Sequence, residues 1–193
     1  REGSEVLLPE LVAHLRKSRA QLREEWARRI TDAGLLTAMG PEEIFSEATE
    51  VYDNYVDALE TGSIETLQTY ARELSERIIP RGVETHEVLG IVLLLRDVLA
   101  RSLFAKYQED RELLNRILDE YEPAANRIAV TVGVSFVEER ERVISDQQES
   151  LRELSTPVLQ IRDRLLILPI IGVLDSERAR QLTEQLLSSI QEN

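Results

Sequence analysis

Few side chains in this sequence have the type and spacing to perform chemistry. The chain has two histidines, His14 and His86, and no cysteine. His86 and Glu87 begin the His-Glu-x-x-His pattern of zinc proteases, but Gly90 occupies the position of the second histidine. A metal would have a single histidine ligand there, whereas a catalytic zinc needs three protein ligands. The sequence therefore predicts no zinc centre.

A haem ligand would be a histidine that faces an apolar pocket. His86 precedes the most apolar segment of the chain, so it is the haem candidate, whereas His14 is flanked by apolar and basic residues. However, His86 lies in the polar sequence Glu84-Thr85-His86-Glu87, where a surface histidine at a helix start is ordinary. We predict that no cofactor is bound.

Three carboxylates, Glu43, Glu47 and Glu50, share one face of a predicted helix. A di-iron bundle would need Glu-x-x-His pairs, and the sequence contains none. A row of carboxylates without a histidine partner is typical of a solvated surface. The sequence also lacks a Gly-rich phosphate loop, so we predict that the protein is not an enzyme.

The charge balance excludes some partners. The chain has 36 acidic and 23 basic side chains, and its net charge of -13 disfavours nucleic acid. It lacks the roughly 18 consecutive apolar residues of a membrane span, and its acidic first residues do not resemble a signal peptide. Absence of cysteine is typical of a reducing compartment. We expect a cytoplasmic protein with no nucleic acid and no membrane partner.

Helices dominate the predicted structure. Apolar residues recur every three or four positions from about residue 6 to residue 154. The segment from Thr85 to Phe104 is apolar nearly all round, so we expect it to be buried. Proline, glycine and serine set the predicted boundaries. The predicted helices run from about residue 6 to Gly34, from Pro41 to Gly62, from the Ser63 cap to Ile78, from Thr85 to Phe104, from Leu113 to Tyr121 before Pro123, and from about Ala124 to Leu154.

The last predicted helix carries apolar residues at a spacing near 3.5. Val137, Ile144 and Leu151 are seven residues apart, and Phe136 and Val143 repeat this spacing beside them. Arg140 and Gln147 occupy positions where this spacing calls for apolar residues. We therefore predict a short coiled coil that depends on a partner. The alternative is a solvated helix that projects from the bundle. The predicted dimer and signalling seam consists of Phe136, Val137, Arg140, Val143, Ile144, Gln147, Leu151 and Leu154.

After residue 157 the pattern changes. Two apolar segments, Val158 to Ile161 and Leu165 to Ile171, predict a β-hairpin, and Asp175 or Ser176 would cap a following helix. Two strands and one helix cannot cover an apolar strand on both faces, so we expect the chain to stop inside a domain. The predicted fold class is mainly α, with an N-terminal helical bundle, a long linker helix and the β-β-α start of an α/β domain.

Three segments resemble the opening of the STAS domain in RsbR-type stressosome proteins. They are Ser155-Thr156-Pro157, Ile167-Leu168-Pro169-Ile170-Ile171-Gly172 and Asp175-Ser176-Glu177-Arg178-Ala179. The helical part is similar to the sensory N-terminal domain of one RsbR paralogue type, which is dimeric and often globin-like without haem. The resemblance implies a helical sensor and dimerisation domain over 1–135, a linker helix over 136–155 and an incomplete STAS domain over 156–193.

The same resemblance implies a non-enzymatic regulator of stress signalling. Such proteins form homodimers through the N-terminal domain and the linker helix. Their STAS domains assemble with a STAS-only scaffold protein and hold a switch serine/threonine kinase that controls an anti-anti-sigma cascade. Some relatives have a phosphorylatable threonine where this chain has Val173. Thr156 and Ser176 are the candidate phosphorylation sites here, although a turn before the strand and a helix cap also explain them.

A second interpretation is a self-contained helical sensor that binds a small molecule or haem. Trp26, Tyr52, Tyr55 and Tyr70 would then line the pocket. Aromatic residues at helical spacing are more often part of a core. The helix from Val137 to Leu154 favours the regulator, because a binding protein does not need such a helix and a signal-transmitting dimer does.

Overall fold

The computed structural model describes residues 7–154, 158–162, 165–170 and 174–191. This part of the chain is mainly α, as predicted, with one short hairpin. The chain divides into two compact units, Arg1–Arg140 and Glu141–Asn193. Its elements are α1 (Leu7–Lys17), α2 (Arg19–Asp32), α3 (Pro41–Thr61), α4 (Ile64–Ile78), a 3₁₀ turn (Ile79–Arg81), α5 (Thr85–Tyr107), α6 (Arg111–Leu154), β1 (Leu159–Arg162), β2 (Leu165–Ile167) and α7 (Ser176–Gln191).

The first predicted helix is in fact two helices. The chain turns at Ser18, whose φ of −92° and ψ of 9° lie in the sparsely populated bridge region. The turn allows α1 to pack on α3 while α2 packs on both α3 and α5. The prediction of one continuous helix was wrong because Leu15 and Leu22, two turns apart and both buried, keep the helical spacing across the break.

The boundaries of α3 and α4 are confirmed. Pro41 is the first residue of α3, and Gly62 ends that helix in the left-handed conformation, with φ of 64°. The hydroxyl of Ser63 accepts a hydrogen bond of 3.3 Å from the Thr66 N–H, which caps α4 as predicted. Gly82 follows the 3₁₀ turn with φ of 82°. Each boundary therefore has a local chemical cause in the sequence.

Helix α5 contributes to the core along one side. Leu95, Leu99 and Leu103 are fully buried. The opposite side is not covered, since Leu93 and Phe104 are about half exposed. The prediction of a helix buried nearly all round was wrong, because apolar composition alone does not show how many neighbours a helix has.

Helix α6 continues through Pro123, where the sequence predicted a boundary. A proline inside a helix removes one backbone hydrogen bond and costs about 3 kcal/mol. Pro123 and Asp119, whose carbonyl loses its helical partner, are both exposed residues. Tyr121 and Ala125 on either side are fully buried. Packing of both flanks on the core therefore keeps the helix continuous across the proline.

The second unit contains the predicted hairpin. β1 and β2 are antiparallel, with Leu159 opposite Ile167 and Arg162 opposite Leu165. β2 ends at Ile167, shorter than the predicted strand to Ile171, and Pro169 two residues later has no N–H to donate to a ladder. Ile171 lies outside the described residues.

The helix that follows the hairpin also begins where predicted. Asp175 caps α7, because its Oδ1 accepts a hydrogen bond of 2.8 Å from the Arg178 N–H. Of the two predicted caps, Asp175 is therefore the one observed, and Ser176 is the first residue of the helix.

Candidate signalling interface

One face of α6 packs on the bundle, and another carries apolar side chains exposed to solvent. These exposed residues follow one another at spacings of four, three, seven and seven, the spacing of one supercoiled helix face. We name them the exposed stripe. Its members are Val130 (65% exposed), Val134 (51%), Val137 (39%), Ile144 (45%) and Leu151 (67%).

The apolar surface continues from α6 onto α5. A Cβ atom on Gly133 would lie 2.8 Å from Cδ2 of Leu89, so the missing side chain allows the two helices to approach closely there. Leu89 is 40% exposed, and Leu93 follows it one turn later on α5. Contiguous exposed apolar side chains of this kind mark interaction surfaces. The first unit thus has an apolar face built from two adjacent helices.

Arg140 points toward α5. Its Nη1 donates a hydrogen bond of 3.2 Å to Oγ1 of Thr85, in the first turn of α5, and its side chain is half-buried. This contact explains how a charged residue is accommodated where the heptad spacing of the sequence expects an apolar one. It also ties α6 to the start of α5.

The structure separates the predicted seam into different environments. Phe136 is buried in the bundle core at 1% exposure, so its assignment to the seam was wrong: it lies on the face of α6 that carries Ile128. Val143 is half-buried and Gln147 is exposed. Leu154 is the last residue of α6. The remaining members, Val137, Ile144 and Leu151, belong to the exposed stripe.

Sequence reasoning missed Val130 and Val134, which continue the spacing of Val137 toward the start of the helix. The spacing alone could have found them, but the prediction assigns the first half of the helix entirely to the bundle. Leu89 and Leu93 had no distinguishing signal, because α5 is apolar in sequence on both its buried and its exposed side.

The haem candidate His86 lies at the surface. Its side chain is 70% exposed, and its Nδ1 is 3.3 Å from the Glu84 carboxylate. It therefore does not face an apolar pocket. The neighbouring Glu87 has a structural part: its two carboxylate oxygens accept hydrogen bonds from the N–H of Leu36 (2.8 Å) and the N–H of Glu84 (2.9 Å). These bonds join the α2–α3 loop to the start of α5.

The carboxylates on α3 form ion pairs, where the sequence predicted a solvated surface. Arg77 of α4 lies 3.1 Å from Glu47 and 3.2 Å from Glu50, and Arg81 lies 2.9 Å from Glu43. The prediction missed these pairs because the basic partners are about 30 to 40 residues away in sequence. Partly exposed pairs of this kind contribute little to stability.

Three of the aromatic residues proposed to line a pocket, Trp26, Tyr52 and Tyr55, are buried in the core, and Tyr70 is partly buried against it. Nε1 of Trp26 donates to the Ile91 carbonyl at 2.8 Å, and the Tyr52 hydroxyl donates to the Leu15 carbonyl at 2.7 Å. Burial raises the pKa of Tyr55 to about 12. Donors already bonded to helix backbones are not available to a ligand.

A separate cavity of about 180 Å³ lies beside the turn between α3 and α4, facing α6. Its charged lining consists of Glu60, Glu120 and Arg127. Because both signs of charge are present and no aromatic residue lines it, the cavity does not match the predicted aromatic pocket.

His14 is partly buried between α1 and α5. Its Nε2 lies 2.9 Å from Oγ of Ser102. Burial, and then the positive charges of Lys106 and Lys17, lower the pKa of His14. The histidine therefore favours its neutral form in the folded protein.

Among the residues that the structure describes, no three His, Asp or Glu side chains come together as a metal site. No helix within the described ranges has the length and apolar content needed to cross a membrane. Of the two candidate phosphorylation sites, Ser176 is exposed, and Thr156 lies outside the described residues.

No protein-family model matches the chain. It is 30% identical over 83 residues to the RsbT co-antagonist protein RsbRA of Bacillus subtilis (strain 168), an alignment that covers 43% of this chain and 29% of that relative. It is 39% identical over 56 residues to the RsbT co-antagonist protein RsbRD of the same organism, covering 27% of this chain and 20% of the relative.

The chain spans less than a third of the length of either relative in these alignments. Both relatives are named as co-antagonists of RsbT, which is a regulatory role. The comparisons therefore agree with the RsbR-type resemblance at the level of a stress-signalling regulator. They are also in line with the prediction that the chain is not an enzyme.

Proposed function

We propose that this chain is a non-enzymatic regulator of stress signalling that works as a homodimer. The helical unit, globin-like in this proposal, receives a signal, and α6 transmits it to a STAS domain that begins after residue 155. The STAS domain assembles with a STAS-only scaffold protein in the cytoplasm. There it holds a switch serine/threonine kinase that controls an anti-anti-sigma cascade, and the signal releases the kinase.

The exposed stripe is the observation that carries this proposal. A helix of 44 residues is much longer than the packing of one bundle needs. Apolar residues remain exposed along it at heptad spacing, and a second copy of the same helix is the partner that such a pattern fits. Leu89 and Leu93 extend the contact to α5, which favours a four-helix interface between two bundles.

The alternative, a small-molecule or haem sensor without a dimer, has less support. The polar atoms of Trp26 and Tyr52 are bonded to helix backbones, and His86 is exposed. That alternative also does not explain the exposed stripe.

The proposal is tested in two steps by sedimentation equilibrium and size-exclusion chromatography. The purified chain should sediment at twice its monomer mass of 22.1 kDa. Co-expression of the full-length protein with the switch kinase and the STAS-only protein of its own organism should yield one large complex that contains all three.

A double variant, Val134→Glu with Ile144→Glu, separates the two steps. It places charges in the exposed stripe and should sediment as a folded monomer, with unchanged helicity by circular dichroism. A wild-type chain that is monomeric at micromolar concentration would contradict the dimer. A dimeric full-length protein that never retains the kinase would contradict the kinase-holding function.

A further inference from the structure

We propose that α6 can pair with the α6 of a second copy in either of two overlapping heptad registers, and that the hydrogen bond between Arg140 and Thr85 selects between them. The inference rests on the dimer of the proposed function and adds how that dimer is regulated. Both registers share Val130, Val137, Ile144 and Leu151, which are seven residues apart. The first register adds Val134, Glu141 and Gln148, and the second register adds Arg140, Gln147 and Leu154.

The pairing must be parallel for the apolar surfaces to meet. In a parallel dimer, the surface formed by Leu89, Val130 and Val134 meets the same surface of the other copy, and the paired helices continue through Leu151. An antiparallel pairing over the same stripe would place this surface against residues near 148 of the other helix, where α6 is polar. Burial of apolar area therefore favours the parallel arrangement.

The two registers place similar kinds of side chain in the helix contact, as a two-state element requires. Each contains one like-charged contact, between two copies of Glu141 in the first register or two copies of Arg140 in the second. Each also contains one glutamine, Gln148 or Gln147. The first gains an apolar contact at Val134 and the second gains one at Leu154. Neither register has a decisive excess of apolar contacts.

The two registers differ in where they place the Arg140 side chain. In the first register Arg140 lies beside the contact and keeps its hydrogen bond of 3.2 Å to Thr85. In the second register Arg140 must enter the contact, so that bond breaks. In the structure the hydrogen bond between Arg140 and Thr85 is formed and Val134 is exposed, so α6 presents the face that the first register uses.

The change between registers is a rotation of each helix about its own axis. At 3.5 residues per turn, three residues fall short of a full turn by about 50°, and this is the difference between the two contact faces. A signal that moves the first turn of α5 would release Arg140 and permit the rotation. The partner helix would turn in the same way because the dimer is symmetric.

Cysteine cross-linking tests the registers directly, since the natural chain has no cysteine and thus no background. Three single variants are oxidised under identical conditions: Gln147→Cys, Gln148→Cys and Ile144→Cys. A disulfide requires Cβ atoms within about 4.5 Å, so only residues inside the contact cross-link fast. Gln148→Cys should form dimers at least about fivefold faster than Gln147→Cys.

The same pair is then measured with Thr85→Val, which removes the acceptor of Arg140, and with Thr85→Ser, which keeps it. Thr85→Val should lower the ratio of the two rates at least about threefold, because Arg140 is released to enter the contact. Thr85→Ser should leave the ratio unchanged.

Two failures are distinguishable. If Ile144→Cys cross-links but Thr85→Val leaves the ratio unchanged, the register exchange is wrong and the dimer stands. If Ile144→Cys does not cross-link and the chain sediments as a monomer, the proposed dimer itself is wrong.

Discussion

The hydroxyl of Tyr121 donates a hydrogen bond of 3.0 Å to the carbonyl oxygen of Arg96, and this bond joins α6 to α5 inside the bundle. The hydroxyl of Tyr55, on α3, lies 3.4 Å from the same Tyr121 oxygen. Three helices are therefore connected through two buried hydroxyl groups. Burial of Tyr121 also raises its pKa well above the ordinary value.

We expect Tyr121→Phe to lower the free energy of unfolding by about 1 to 1.5 kcal/mol, because it removes one buried hydrogen bond and leaves the Tyr55 hydroxyl without its partner. The measurement is urea unfolding followed by circular dichroism. Tyr70→Phe is the comparison variant, since the Tyr70 hydroxyl forms no hydrogen bond of good geometry among the described residues and interacts only with the nearby Arg77 guanidinium. Equal losses in the two variants would contradict the prediction.

His14 should make stability depend on pH. Its pKa is lowered in the folded protein, so as the pH falls below about 6.5 the unfolded chain binds a proton before the folded chain does. The stability contributed by neutral His14 is therefore complete above about 6.5 and is lost as the pH falls through the folded pKa.

The test compares the wild type with His14→Gln, whose amide can still bond to Ser102. In urea unfolding experiments, the stability of this variant relative to wild type should rise as the pH is lowered from 7 to 5. His86→Gln controls for removing a histidine from the surface. A constant difference between wild type and His14→Gln across this range would show that His14 has no such effect.

The exposed stripe should be sensitive to charge at its centre. Ile144→Asp should weaken dimerisation at least about tenfold, because burial of an isoleucine side chain on association contributes more than the 1.4 kcal/mol that corresponds to that factor. Sedimentation equilibrium measures the change. Ser150→Asp adds the same charge to α6 outside the exposed stripe and should leave the dissociation constant within about twofold.

Leucines placed in one register should lock it. Arg140→Leu with Gln147→Leu favours the second register, and Glu141→Leu with Gln148→Leu favours the first. We expect the two double variants to hold a stress-dependent transcriptional reporter at opposite constant levels, with little response to stress. The two pairs are matched controls for each other, since each replaces one charge and one amide by leucine. Normal responses in both would contradict signalling through α6.

The sequence predicted the elements whose ends have local causes. Pro41, Gly62 and Ser63 act through their own backbone or hydroxyl, so their effects can be read without tertiary information. The predictions at Ser18 and Pro123 were wrong because tertiary packing determines the structure at both positions. The chain breaks between two helices at Ser18, and it stays helical through Pro123 because Tyr121 and Ala125 on either side are buried.

The candidate interface was predictable in part. Val137, Ile144 and Leu151 follow from spacing alone, since an apolar residue every seven positions on a polar helix is visible in the sequence. The burial of Phe136 and the bond from Arg140 to Thr85 depend on which side of α6 the bundle covers. No spacing rule contains that information, because it arises from tertiary contacts such as the bond between Arg140 and Thr85, which are 55 residues apart in the chain.

The double hydrogen bond of Glu87 has a consequence for variation among homologous chains. The loop at residues 33–40 is held by the Leu36 N–H, and Leu36 adopts φ of 55°, which side chains other than glycine rarely do. An insertion or deletion in this loop would move that N–H away from the carboxylate. Homologues that keep a carboxylate at position 87 should therefore keep the loop at constant length. Homologues without this carboxylate should differ from one another in loop length.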